Sequence, residues 1–166
     1  MEKIEKYSIS SKTMALSGVY HPDYNTIIHD EDGMYCTKQT VKSILNNACL
    51  ERYSTYDGRI EALRYFLPYF KKTPLMICPY EGICAFPHIS PRSPLCSWLV
   101  PNHIHQVHKL DKKKVKVEFN NESFLLLNCS FKSINNQRER AVHSMSHFSS
   151  LISRKIQKNY FFTYTH

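Results

Sequence analysis

A chain of 166 residues with 42% hydrophobic side chains and only 4 glycines can bury a sizeable core, which sets aside disordered, linker-rich and fibrous classes. No stretch reaches the roughly 18 apolar residues of a membrane span, and Met1–Lys6 is too charged to lead a signal segment, so a cytoplasmic chain with its six cysteines reduced is expected. The net charge of +8 is uneven: residues 1–60 hold 7 Lys/Arg against 8 Asp/Glu, whereas residues 61–166 hold 15 against 6. Such asymmetry points to a polyanion, nucleic acid first and an anionic membrane surface second, with a merely solvated basic face as the alternative.

In chain order, Tyr7–Ser10, Met14–Leu16, Thr26–His29 and Met34–Thr37 read as strands, the last two joined at Asp30-Glu-Asp-Gly33 in a hairpin. Val41, Ile44, Leu45 and Ala48 recur at helical spacing, predicting a short helix from Thr40, its N-cap, to about Leu50. Tyr53–Arg59 reads as a turn-rich break. Ile60–Phe70 fits a helix through Leu63 and Leu67 or a strand through its aromatics, and Pro68 forbids a long helix interior.

Thr73–His105 is the densest run of apolar and turn-forming residues, with the only tryptophan and three of the six cysteines. Leu75–Cys78 and Ile83–Phe86 flank Pro79-Tyr-Glu-Gly82 as a hairpin, and Pro87, Pro91 and Pro94 exclude regular structure up to Cys96. His103–Leu110 reads as a strand, the charged turn Asp111–Lys114 leads into Val115–Phe119 with period two, and Asn120–Glu122 returns into Ser123–Cys129. The result is an antiparallel meander. Ile134, Ala141, Met145, Phe148, Ile152 and Ile156 then form one stripe of an amphipathic helix near 134–157, with Ser133 as N-cap and Ser149-Ser150 as a potential break. Arg140, His143, His147, Arg154 and Lys158 fall on its far side. The fold expected is α+β, a largely antiparallel sheet with a short helix near 40–50 and the longer C-terminal helix, in one domain over 1–166.

The chemistry is mostly negative. Phosphate-loop, dinucleotide, nucleophile-elbow and His-Glu-x-x-His motifs are absent from the sequence, so no catalytic residue and no cofactor is assigned. Cys78, Cys84, Cys96 and His103 could form a zinc set, but no Cys-x-x-Cys pair exists to chelate it, and small buried hydrophobes are the preferred reading. A Cys96 nucleophile served by His103 or His105 lacks an orienting group. Trp98 is read as a core anchor rather than a stacking platform, and His103, His105 and His108 as structural groups along a strand edge.

Gly58-Arg59, Thr73-Pro74-Leu-Met, Phe86-Pro87, Cys96-x-Trp98, His103-Ile104, the lysine turn with Val115-x-Val-x-Phe119, and Asn136-Gln137 occur in an order and spacing that resembles the ComK competence transcription factors of Gram-positive bacteria, over roughly residues 58–157. The resemblance implies a DNA-binding activator of DNA-uptake genes, nucleoid-associated, that contacts A/T-rich boxes through the minor groove as a dimer or pair of dimers. RNA polymerase and a Clp protease adaptor are the further partners it implies, with no membrane. The tail Tyr160–His166 is shorter than the one that delivers the best-known member to that adaptor, which bears on proteolytic control and tetramer formation. Arg138 and Arg140 in the first turns of the last helix are the expected groove readers, with Arg154 on its basic back, and Lys112, Lys113 and Lys114 the phosphate contacts. A cysteine- or zinc-dependent cytosolic enzyme and a basic RNA- or protein-interaction module are the competing readings.

Overall fold

A computed structural model of the chain describes residues 1–164, with side chains as far as Asn159. The side chains of the tail Tyr160–His166 lie outside the described residues. Among the described residues, ten strands, three helices and one short 3-10 turn follow in the order β1 (Glu2–Lys3), β2 (Thr13–Gly18), β3 (Thr26–Asp30), β4 (Gly33–Thr37), α1 (Val41–Leu50), α2 (Tyr56–Phe66), β5 (Leu75–Cys78), β6 (Ile83–Pro87), β7 (Ser97–Leu99), the turn Pro101–His103, β8 (Ile104–Asp111), β9 (Lys114–Phe119), β10 (Phe124–Leu127) and α3 (Phe131–Tyr164). The strands make a seven-stranded sheet in the order β1-β4-β3-β2-β7-β6-β5 and a three-stranded meander β10-β9-β8. Every pairing but the parallel β1–β4 is antiparallel. The α+β class expected from the sequence is the class observed.

The large sheet is covered on both faces, which explains why β5 and β6 read as continuous apolar runs rather than as alternating ones. Leu16, Leu75, Ile77 and Trp98 pack with Ile44, Leu45 and Ala48 of α1 on one face. Met76, Phe86 and Leu99 point the other way and meet Val115, Val117 and Phe119 of the meander and Ile134 and Ala141 of α3. Helix α2 lies at the border, giving Ile60 to the first cluster and Leu63 to the second. The turn between β5 and β6 uses glycine where the backbone requires it, Gly82 standing at φ 67°.

Several local expectations change. Pro87, read as outside regular structure, ends β6 and stands opposite Trp98 of β7. Tyr7–Ser10 is not a strand; Tyr7 and Ile9 are buried, but the Tyr7 N–H donates to Gln39 Oε1 and its hydroxyl to Asp30 Oδ2, so side chains replace a sheet ladder. The break read at Tyr53–Arg59 contains the start of α2, because the Thr55 hydroxyl caps it by accepting the Gly58 N–H at 2.9 Å; Pro68 turns the preceding Leu67 extended, so the helix ends at Phe66. The cap of α3 is Ser130, not Ser133: the Ser133 N–H donates to Ser130 Oγ at 3.1 Å. Ser149-Ser150 does not interrupt α3. Thr40 does cap α1, accepting the Ser43 N–H at 3.2 Å.

Candidate nucleic-acid interface

The apolar stripe of α3 buries Ile134 and Ala141, and that contact fixes where the helix's cations go. Arg138 is half-buried and donates from Nη2 to the Ile104 carbonyl at 3.0 Å, tying the helix to the first residue of β8. Arg140 donates from Nη1 to the Lys71 carbonyl at 3.3 Å and to Gln137 Oε1 at 3.2 Å, and its guanidinium lies 5.2 Å from the centre of the Tyr69 ring. His143 Nδ1 is 2.6 Å from the Tyr69 hydroxyl, and the His147 ring packs against Phe66 and Phe148 at 6.0 and 5.6 Å between centroids. The far side of the helix, read from the sequence as either a phosphate-offering or a merely solvated basic back, is therefore partly engaged over the end of α2 as far as Phe148, with His143 still exposed. Beyond it Arg154, Lys155 and Lys158 are exposed. Sixteen residues at about 1.5 Å each put Arg154 about 24 Å along the axis from Arg138.

The lysine turn sits elsewhere. Asp111 Oδ1 accepts the Lys113 N–H at 2.8 Å and shapes the tip of the β8–β9 hairpin, with Lys114 already the first residue of β9. Lys112, Lys113 and Lys114 are all exposed. Eight residues of strand at about 3.3 Å separate the tip from Ile104, and so from the Arg138 guanidinium, by about 26 Å. Beside the hairpin, on the solvent face of the meander, His108 Nε2 contacts Glu118 Oε2 at 2.8 Å and that bond holds the Glu118 carboxyl below its usual range. Lys116 Nζ lies 4.8 Å over the exposed Phe124 ring. The six cations expected to touch DNA thus occupy three places: the α3 base, the α3 far half and the hairpin tip.

Trp98 is 3% exposed and meets Tyr56 edge-on at 6.0 Å, so it anchors the core. Cys78 and Cys96 belong to the core on one face of the large sheet and Cys84 to the other, while His103 lies in the 3-10 turn rather than on a strand edge, with Nε2 2.8 Å from the Ser11 carbonyl and Nδ1 3.2 Å from Glu31. These four weighed metal ligands do not converge on one point. Burial pushes the Cys96 thiol up to about 11 and Cys84 to about 12, which keeps both protonated and unreactive near neutral pH. Sequence reasoning passed over Lys71, Lys72 and Arg92, which lie in a bend after α2 and in the Pro-rich loop, where no periodicity marks them.

A family model described as ComK protein matches residues 4–153. The competence transcription factor of Bacillus subtilis (strain 168) is 24% identical over 166 residues, covering 93% of this chain and 81% of that protein. No solved structure matches the chain. Residues that carried the sequence resemblance have structural duties here: Gly58 sits in the α2 cap, Trp98 in the core, and Gln137 on the Lys72 and Pro87 carbonyls at 2.7 and 3.3 Å. With nine-tenths of its length inside that match, the chain belongs to the ComK protein family.

Proposed function

We propose that this protein is a DNA-binding regulator of competence transcription that acts as one binding unit over residues 1–166, binds A/T-rich duplex through the minor groove and works as a dimer or pair of dimers on the nucleoid. The family match over residues 4–153 carries the reading. The cation excess after residue 60 supports it, because phosphate neutralisation supplies much of the affinity of such proteins. Lys112, Lys113, Lys114 and Arg154 are the phosphate contacts, exposed on separate elements. Arg138 and Arg140 are the groove-facing candidates at the α3 base, each keeping guanidinium donors beyond the bonds that seat it. A span of about 25 Å from the α3 base to each of the other two places corresponds to about seven base pairs at 3.4 Å each, within one turn of a duplex. The minor groove shows A·T and T·A alike, so such a protein senses groove width and the missing guanine amino group, and narrow A-tracts draw arginine by their negative potential.

Mobility-shift titration of an A/T-box duplex against a G/C-rich duplex of equal length tests this. Tighter binding of the A/T duplex at moderate salt is expected, and replacing Arg138 or Arg140 should narrow the difference. Equal affinities would overturn minor-groove recognition and leave phosphate binding alone.

A further inference from the structure

A cleft of about 1090 Å³ opens between the helix pair α1–α2 and the Pro-rich loop Ser90–Pro94. Its floor is rigid core: Trp98, Tyr56 and Cys96, with Leu45 and Ile60 from the helices. The loop can form the opposite wall because residue 18 is glycine. A Cβ there would lie 1.9 Å from the Pro94 carbonyl oxygen, and the Gly18 N–H donates to the Cys96 carbonyl at 3.2 Å.

The rim is strongly cationic. Lys42, Arg64, Lys71, Lys72 and Arg92 line it against one carboxylate, Asp57. Among the described residues none of these cations is paired with a carboxylate. Two aromatic side chains at the same rim are open to solvent, Tyr20 at 76% and Phe70 at 64%.

The bend that presents Phe70, Lys71 and Lys72 is held from behind. Its four successive carbonyls each accept from a side chain: Tyr69 from Thr73 Oγ1 at 2.6 Å, Phe70 from Arg64 Nη2 at 2.9 Å, Lys71 from Arg140 Nη1 at 3.3 Å and Lys72 from Gln137 Nε2 at 2.7 Å. Each carbonyl thus has a partner within the protein; Lys71 is exposed at the rim, while Lys72 is half-buried and its Nζ donates to Ser133 Oγ at 3.5 Å. Lys72 is also held at φ 49°, a left-handed conformation a lysine rarely adopts, and such outliers persist where surrounding structure imposes them.

We propose that this cleft binds a short stretch of a single nucleic-acid strand, its phosphates on Lys71, Lys72 and Arg92 and its bases against Tyr20 and Phe70. A cationic groove flanked by exposed aromatic rings is what an unpaired strand requires, since every base has a face to stack. A duplex is convex and is read by elements that protrude into its grooves, which a concave cleft does not offer. The same phosphate-plus-base chemistry is carried by a free mononucleotide, so the source has to be separated by experiment. The proposal stands apart from duplex recognition, which uses other residues.

Fluorescence anisotropy of the full chain with labelled oligothymidylates of increasing length, with thymidine monophosphate as competitor and the A/T-box duplex measured in parallel, tests it. Lys71→Glu, Arg92→Glu, Tyr20→Ala and Phe70→Ala are suitable variants, because all four side chains are exposed and circular dichroism can verify their fold. Oligothymidylate affinity should rise with length. Each aromatic variant should weaken it about fivefold or more, each charge variant should reduce the salt slope by about 0.7 per lost phosphate contact, and duplex affinity should be unchanged in the aromatic variants. Displacement by thymidine monophosphate with no dependence on strand length would overturn the strand in favour of a free nucleotide. No oligothymidylate binding, binding indifferent to all four changes, or equal losses on the duplex would overturn the cleft as a single-strand site; Lys113→Ala, whose charge is on the hairpin, separates that failure from a failure of duplex binding.

Discussion

The bend Phe70–Thr73 and the hairpin tip Lys112–Lys113 both put adjacent lysines on the surface, yet they are held in opposite ways. Side chains from α2 and α3 grip the carbonyls of the bend, whereas the tip is shaped by one aspartate of its own strand. A gripped backbone meets an anion with its own ordering cost, about 1–2 kcal/mol per residue, already met in folding, whereas a free tip must give up that backbone freedom on contact; the lysine side chains lose rotamer freedom in both places. The first arrangement suits a ligand of fixed shape. The second suits a phosphate backbone that slides past.

Breaking the gripped side should cost most. Trp98→Ala removes the cleft floor beside Tyr56 and is expected to lower stability by about 3–5 kcal/mol, read by denaturant unfolding. A loss under about 1 kcal/mol would show that the floor collapses without penalty and that cleft shape does not depend on it. The hairpin side has its own weak point in His29, buried on β3 with its ring 6.3 Å from Phe119 of β9. Burial holds that imidazole down at about 4 against an ordinary 6.5, so between these values the unfolded chain takes a proton that the folded chain refuses. Stability should therefore fall as pH drops from 6.5 towards 4, by up to about 3 kcal/mol from this group. His29→Gln should flatten that part of the profile, and an unaltered slope would assign the acid sensitivity to other groups.

Gln137→Leu sharpens the contrast directly. The side chain is 3% exposed and bonds two carbonyls, so its replacement should cost about 1–3 kcal/mol in thermal or denaturant unfolding by leaving the Lys72 carbonyl without a partner. At the small end, Lys113→Ala should move stability by less than about 0.5 kcal/mol while reducing the slope of log K against log salt on any duplex by about 0.9. A stability loss like that of Gln137→Leu would mean that the tip is as firmly built as the bend.

Periodic features of the sequence were legible and aperiodic ones were not. The hairpin Leu75–Phe86, the Thr40 cap and the alternation of Val115, Val117 and Phe119 could be read because a strand or helix repeats its burial every two or every 3.6 residues. Helix α2 was half missed: its start depends on a hydroxyl three residues ahead of a glycine, a pairing that resembles a turn until the cap geometry is known. The basic residues of α3 were placed correctly on a helix, but their surroundings were not visible, because the partners of Arg138, Arg140 and His143 outside the helix come from residues 34 to 74 positions away. The cleft left no trace in the sequence at all, being assembled from a loop, a bend, one face of each of two helices and a strand.

The grip on the bend also imposes an order of events. Gln137 and Arg140 stand 65 and 69 residues beyond the carbonyls they hold, so these closures are among the long-range contacts that follow local structure in folding. During synthesis Lys71 and Lys72 leave the ribosome well before the helix that seats them exists. The nascent chain therefore carries these charges without the conformation that presents them until α3 has been made and docks on the bend.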